Sequence, residues 1–516
     1  ASAPVRRPIP PGGGGPVGLT AAIDLAQRGL PVLVLDHDYR LSIGSRALCF
    51  AKRALEIWDR LGVAQPMVDK GVSWNVGKVF FQDQPVYRFD LLPEEGHERP
   101  AFINLQQYYC EAYLVERALQ LPNLEIRWHH GVSGVAPRED GALLTVDTPE
   151  GAYQLDADWV IACDGSRSPM RRFLGLESKG RIFQDRFLIA DVKMKADFPT
   201  ERWFWFDPPF HPGQSVLLHR QPDGVWRIDF QLGWEADPEE EKKPENIIPR
   251  VQALLGQDTE FTLEWASVYT FACLRMDRFV HGRVIFAGDS AHGVSPFGAR
   301  GANSGVQDTD NLAWKLDWVL KGRAGVELLA TYGPEREYAA DENILNSTRA
   351  TDFITPKSEI SRLFRDQTLA LAREHEFARR IVNSGRLSVP STLVDSPLNT
   401  PDSEPSAGRM VPAPALTDAP LRRPDGRASW LLRELGPDFT LLCFGPVPAW
   451  ATDLPHVTPV SIGEGALADV QGLAAQRLDA TPGTAYLVRP DQHVCARWRQ
   501  PTAAAVRAAL ATATAA

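Results

Sequence analysis

Residues 282–303, GRVIFAGDSAHGVSPFGARGAN, read as a buried strand, a polar turn and the glycine-rich start of a helix. Val284, Ile285, Phe286 and Ala287 have the unbroken apolar character of a strand covered on both faces of an α/β sheet, and Gly288-Asp289 sets a carboxylate just past its carboxyl end. An acid anchored there can accept hydrogen bonds from the hydroxyls of a cofactor. After Pro296, Gly298 and Gly301 let the backbone approach a flat ligand closely, and Ala302 and Asn303 follow in a helical first turn with free N–H groups and a positive dipole end. Since a reduced flavin carries negative charge, this order of elements suits a flavin.

Two other stretches fit the same architecture. Gly13-x-Gly15-x-x-Gly18 opens a helical pattern, the buried run Val32-Leu33-Val34-Leu35 follows, and Asp36 ends it 18 residues after Gly18. In a dinucleotide fingerprint such glycines, with Pro16 and Val17 between them, give the tight turn and the close pyrophosphate approach, while the acid accepts from adenosine ribose hydroxyls. The second stretch is the buried run Trp159-Val160-Ile161-Ala162-Cys163, which enters Asp164-Gly165-Ser166-Arg167-Ser168-Pro169-Met170-Arg171. One feature conflicts: the strand expected before Gly13 reads Pro-Val-Arg-Arg-Pro-Ile-Pro-Pro over residues 4–11, and prolines do not belong in a central strand. That strand either survives in distorted form or is altered.

A chain of 516 residues exceeds one simple core, so two or three packed units are expected. Its net charge of -10 argues against a nucleic-acid partner, which would need clustered Lys and Arg. The six cysteines, at 49, 110, 163, 273, 443 and 495, lie far apart with no Cys-x-x-Cys and no Cys/His ligand spacing, so neither a metal site nor dithiol chemistry is expected. With no signal-like segment and no apolar run of about 18 residues, a cytoplasmic location without a membrane span is the expectation.

Further along, 46–61, 107–119 and 303–321 show helical spacing, whereas about 74–100 and 182–275 alternate as short strands, for example Trp226-Arg227-Ile228-Asp229-Phe230-Gln231. Eight prolines between 390 and 424 mark an extended connector, and apolar runs at 439–444, 457–462, 485–488 and 494–498 outline a separate C-terminal α/β unit. The organisation expected is therefore an α/β, Rossmann-like cofactor domain at 1–181, including a small inserted sheet near 74–100. An antiparallel substrate sheet follows at 182–275, the cofactor domain returns at 276–389, and the connector (390–424) leads to the C-terminal domain (425–516).

Taken together, the motifs at 13–36, 164–171 and 288–303, in this order, resemble the class A flavoprotein monooxygenases, the para-hydroxybenzoate hydroxylase and phenol hydroxylase family, with hydroxyphenylpropionate hydroxylase-like members nearest. The resemblance covers about 12–385, and the phenol-hydroxylase branch extends it into a C-terminal domain that resembles thioredoxin without its Cys-x-x-Cys, for which a structural or homodimer-contact role is left.

The resemblance implies FAD as cofactor, NADH or NADPH as reductant and O2 as co-substrate, a small phenolic ring being hydroxylated through a flavin C4a-hydroperoxide. A hydroxyphenylpropionate-like acid is the substrate it suggests. It also implies that Asp289 holds the ribityl chain, that Asp164 and Gly165 lie near FAD, and that Arg46 and Gln107 (Gln106 competing) sit on the pyrophosphate side. Gly288 and Val132 join the cofactor contacts. Pro296 and Arg300 are expected at the flavin edge, Arg300 adding positive potential. Substrate candidates on or near the inserted sheet are Trp205, His211, His219, Arg220, Asp229, Gln231 and Tyr269. Two other readings stay open: a flavin-dependent reductase or dehydrogenase on the same scaffold, and a flavin-binding protein that has lost catalysis.

Overall fold

The computed structural model describes residues 11–12, 15–42, 46–196, 198–382, 387–407 and 410–516. Its first layer is a six-stranded sheet in the order Val280–His281, Val284–Phe286, Val160–Ala162, Pro11–Gly12, Val32–Leu35, Leu124–Arg127, parallel except at the first edge. The strands VIF, VIA and VLVL are buried at every position, which is why their sequences do not alternate. The proline-laden first strand persists as two residues: Pro11 and Gly12 pair with Ile161 and Ala162, and Gly12 also pairs with Leu35. Proline is tolerated as the first residue of a strand. The remaining prolines before it, and Gly13 of the fingerprint, lie outside the described residues.

Helix Pro16–Gln27 covers this sheet with Ala22, Leu25 and Ala26, and the long helix Gly301–Leu320 packs beside it. Their contact is close enough that a Cβ on Gly305 would fall 2.5 Å from Val17 Cγ2 and 3.2 Å from Gly288 Cα. The helix expected over 46–61 is shorter, Lys52–Arg60, because Cys49–Ala51 pairs as a strand with Phe102–Asn104. The Asn303 side chain holds it there, accepting from Ala51 N at 2.8 Å and donating to Cys49 O at 2.9 Å.

The second sheet has seven strands, in the order Phe261–Tyr269, Arg186–Met194, Val225–Leu232, Val216–Arg220, Arg202–Phe206, Val76–Phe81, Gln84–Asp90. Strands expected as a small separate sheet near 74–100 thus form one edge of this larger sheet, Val76–Phe81 pairing parallel with Arg202–Phe206. Stacking of Phe80 on Trp205, ring centroids 5.3 Å apart, accompanies that pairing.

A four-stranded C-terminal sheet runs Val457–Ile462, Phe439–Phe444, Ala485–Val488, Val494–Trp498. The proline-rich connector is extended and bound to its edge: Thr400 N donates to Cys495 O, Ala413 N to Val494 O and Leu416 N to Gln492 O. A buried charge network joins this unit to the cofactor layers. Arg489 donates to both oxygens of Glu335 (2.7 and 3.0 Å) and to Asp491, Lys315 also pairs with Glu335, and Arg53 reaches Asp310, Asp491 O and Gln492. Removing one member of a buried pair leaves an uncompensated charge, so Arg489→Met is expected to destabilise the protein by about 3–5 kcal/mol. A lowered urea midpoint checks this, and an unchanged midpoint would show that the network contributes nothing.

Candidate active site

Two helix N-termini converge at the carboxyl ends of the parallel strands, and neither has a side-chain cap. Gly15 precedes helix Pro16–Gln27, and Arg300 precedes helix Gly301–Leu320. A Cβ on Gly15 or on Gly165 would meet nothing within 4 Å, so both glycines border open space, while Pro16 and Gly18 are buried behind the turn. Asp36, mostly buried at the end of Val32–Leu35, accepts from Asp38 N at 2.9 Å, and its own carbonyl accepts from His130 N. Val132, just beyond, is half-buried against the same core.

Asp289 stands between these ends. Its carboxylate Oδ1 lies 3.7 Å from where a Cβ on Gly301 would sit, at the N-terminus of the long helix. The residue is open to solvent, yet crowding by protein raises its carboxyl above the usual range, with His292 and Arg46 opposing and Asp308 adding to the rise. Access to solvent together with crowding by protein marks a carboxylate that lines a cleft. Gly288, at φ +67, turns the backbone there, and its N–H donates to Asp308.

The remaining cofactor candidates divide into open and occupied groups. Arg46 is exposed near Asp289. Gln107 accepts from Ala47 N, next to Arg46, and donates to Glu111, which in turn accepts from Ser42. Gln106 instead points to the other sheet, donating to Pro222 O at 3.1 Å. Asp164 is occupied by its own loop: Oδ1 accepts from Ser168 Oγ at 2.5 Å and Oδ2 from Met170 N at 2.9 Å. Arg171, in the short helix Pro169–Phe173 that follows, donates to Ser290 O, tying it to the Asp289 turn.

Of the residues expected at the flavin edge, Pro296 is exposed, Ala302 is half-buried, and Arg300 is buried, packed on Gly298 and donating to Asn343 at 2.7 Å. Open space beside two uncapped helix ends, with a cleft-lining carboxylate between them, fits a dinucleotide-linked flavin.

The seven-stranded sheet presents one face to this edge. Alternation puts Arg202, Phe204, His219, Arg227, Asp229, Gln231 and Tyr269 on it, facing Phe297, whose ring meets Phe187 edge-on at 4.8 Å and whose carbonyl accepts from Arg202. Of the substrate candidates, His219, Asp229 and Tyr269 thus come together, and Gln231 shares their face with its Oε1 accepting from Ser215 N. Three candidates fall elsewhere. Trp205 and Arg220 have the opposite parity: Trp205 is buried among Phe80, Trp203 and Phe210, and Arg220 lies exposed over Trp226. His211 sits on the loop beyond Arg202–Phe206, bound to Gln231 O.

Sequence reasoning missed Arg202, Cys49 and Asp191. Only the shared parity of Arg202 with Phe204 could have signalled the first. Asp191 holds Arg227 through both carboxylate oxygens, at 2.9 and 3.0 Å. Burial pushes Asp229 up to about 6, with Arg227 and Arg202 opposing, raises Tyr269 well above its ordinary value, and keeps His219 neutral. A protonated-carboxyl infrared band from Asp229 should be present near pH 5, fade as pH rises through about 6 and be missing in Asp229→Asn; a titration near pH 4 would contradict the burial argument.

Comparison with known proteins agrees with this geometry. The FAD binding domain family model matches residues 13–347. A 6-methylpretetramide 4-monooxygenase of Streptomyces rimosus is 30% identical over 94% of this chain and 89% of its own length. A probable NADH-specific resorcinol 4-hydroxylase of Rhodococcus jostii is 32% identical over 63% of this chain, and a 3-(3-hydroxy-phenyl)propionate/3-hydroxycinnamic acid hydroxylase of Escherichia coli is 29% identical over 69%. The chain spans 61% and 63% of the lengths of those two. Among solved structures, the flavin-dependent monooxygenase PieE, in complex with FAD and substrate, aligns over 100% of both chains with a TM-score of 0.84 at 22% identity. The OxyS anhydrotetracycline hydroxylase of Streptomyces rimosus aligns over 99% of this chain and 100% of its own with a TM-score of 0.75 at 25% identity.

Asp289→Ala should lose most of its FAD on gel filtration while His219→Ala keeps it, read from the flavin-to-protein absorbance ratio; equal retention would reject the assignment of Asp289. The matched family model and the near full-length relative show that this chain belongs to the FAD-binding-domain family of flavoprotein monooxygenases.

Proposed function

We propose that the protein hydroxylates a phenolic ring held between the flavin edge and the polar face of the seven-stranded sheet, consuming NADH or NADPH and O2. The observation that carries this reading is the placement of Asp229 and Tyr269 on the sheet face that packs against Phe297, in the turn that precedes the flavin-side helix. Bound FAD supplies the activation of dioxygen; the chain supplies position, exclusion of water and proton handling.

In this reading Asp289 holds the ribityl hydroxyls, and the Gly15 turn and Asp36 serve the pyrophosphate and adenosine ribose. Arg46 and Gln107 complete that side. The uncapped N-terminus of helix Gly301–Leu320, with Arg300 behind it, favours negative charge at the flavin edge. Phe187, Phe204 and Phe297 keep water from the ring. Asp229 accepts a hydrogen bond from the phenol, with Tyr269 beside it.

The domain division into 1–181, 182–275, 276–389, 390–424 and 425–516 belongs to the same proposal, with the C-terminal part as a thioredoxin-like domain. Its parallel and antiparallel strand pairs around Phe439–Phe444 support that likeness. Its cysteines do not suit dithiol exchange, because burial raises Cys443 to about 11 and Cys495 to about 12. A homodimer contact remains its proposed role. All six cysteines are free, which suits a reducing cytoplasm, and among the described residues no helix is long and apolar enough to cross a membrane.

The test is NAD(P)H oxidation by the FAD-loaded protein with a panel of phenols under labelled O2. One labelled oxygen in the product per NAD(P)H is expected; reduced cofactor consumed with no label in any product would favour the reductase reading instead.

A further inference from the structure

Helix Glu359–Ala372 carries apolar residues on two sides. Arg365, Thr368, Leu369 and Ala372 form its buried side, with Leu369 and Ala372 in the cluster that holds Phe206, Leu217 and Phe297. Ile360, Leu363, Phe364 and Leu371 lie on the other side and stay in water. There Ile360, Phe364, Gln367 and Leu371 recur at steps of four, three and four residues, the spacing of a helix–helix seam, with Leu363 alongside. A helix that served only to cover the sheet would carry polar residues along that outer stripe.

The neighbouring helices extend the patch. Phe377 and Ile381, four residues apart, share one face of helix Glu376–Val382. Ile381 lines a groove of about 490 Å³ with Ile360 and Phe364, and its remaining wall is Phe353, near the end of helix Tyr332–Ile354. Ile360, Leu363, Phe364, Leu371 and Phe377 are between 45% and 81% exposed. Together they leave on the order of 500 Å² of apolar side chain in water, at the upper end of what single chains carry and more than half of the about 800 Å² that each partner gives to a stable interface.

The stripe is also complementary to itself. A two-fold axis that lays this helix antiparallel on its own copy sets Ile360 against Leu371 and Phe364 against Gln367, because the members of each pair are equidistant from the midpoint between Arg365 and Asp366. The same operation brings Glu359, exposed in the first turn, beside Arg373, exposed just past the last, once at each end. Charges bordering the stripe are mixed, Glu359, Arg362, Asp366 and Arg373, which suits a copy of the same surface better than an anionic lipid layer. We propose that helices Glu359–Ala372 and Glu376–Val382 form a two-fold contact between two copies of this chain, the groove beside Ile360 receiving the partner's Leu371. This contact is separate from the one proposed for the C-terminal unit.

Sedimentation velocity of the FAD-loaded full chain, from about 1 to 50 µM, reads the native mass. A particle of twice the chain's mass or more is expected. Phe364→Asp should halve that mass, weakening association about 100-fold or more by setting an unpaired charge in the seam. Both Phe364 and Leu371 are exposed in the single chain, so Phe364→Asp should keep its FAD and a thermal midpoint within about 2 °C of the parent, and Leu371→Asp gives the same reading if the first variant does not. Gln367→Cys, close to the axis, should form an interchain disulfide under mild oxidation, whereas Glu239→Cys, exposed on another helix, should not. A parent protein that is monomeric at about 50 µM, or folded Phe364→Asp and Leu371→Asp variants that keep the parent's mass, would overturn the proposal. Retained mass in those variants would also place association elsewhere and leave the role of the C-terminal unit standing, and neither result bears on hydroxylation.

Discussion

The site depends on one buried carboxylate. Asp308, wholly inaccessible in the long helix, accepts from Gly288 N at 2.9 Å, pairs with His292 at 2.5 Å and takes Arg336 Nε at 2.6 Å. Burial works to protonate it, but His292 and Arg336 outweigh that and hold its pKa below the ordinary value. It thereby fixes the left-handed turn at Gly288, and so the direction in which Asp289 leaves the strand. Tyr332 reinforces the turn from below by donating to Phe286 O. The carboxylate proposed for a cofactor's hydroxyls is thus aimed by a second carboxylate that is itself fully buried.

Legibility in the sequence followed the number of faces an element buries. Strands buried on both sides, such as Val284–Phe286 and Val32–Leu35, announce themselves as apolar runs, and the helices 107–119 and 303–321 by their spacing; the structure has Gln107–Leu119 and Gly301–Leu320. The seven-stranded sheet was legible as alternating strands but its facing was not. In Arg202-Trp203-Phe204-Trp205-Phe206 both faces carry aromatics, so alternation has no sign, and Trp205, one of the substrate candidates, lies on the face opposite Asp229. Cys49–Ala51 was hidden for another reason: it is a strand because it pairs with Phe102–Asn104 and is held from its other edge by Asn303, more than 250 residues away in sequence. No local pattern records such a bond.

The polar groups on the Asp229 face of the seven-stranded sheet show the same division. Asp229, Gln231 and His219 could be read as polar positions in alternating strands, whereas the clamp of Asp191 on Arg227 exists only once two strands are in register. That clamp leaves Asp229 the less compensated acid of the pair. Burial raises its pKa, and Arg227, already given to Asp191 by the strand pairing, opposes that rise without cancelling it.

The network joining the C-terminal unit to the long helix has a consequence for how the chain divides. Glu335, fully enclosed beside Lys315, is neutralised in part by Arg489 from a unit that a linear map would draw as an appendage. A boundary near residue 425 is therefore a seam in the sequence but an interior in the solvent's terms. Whatever separates the two parts must first hydrate ions that water does not reach, so the appended unit behaves as a buried wall of the cofactor layers, and the protein has fewer independent pieces than its topology has domains.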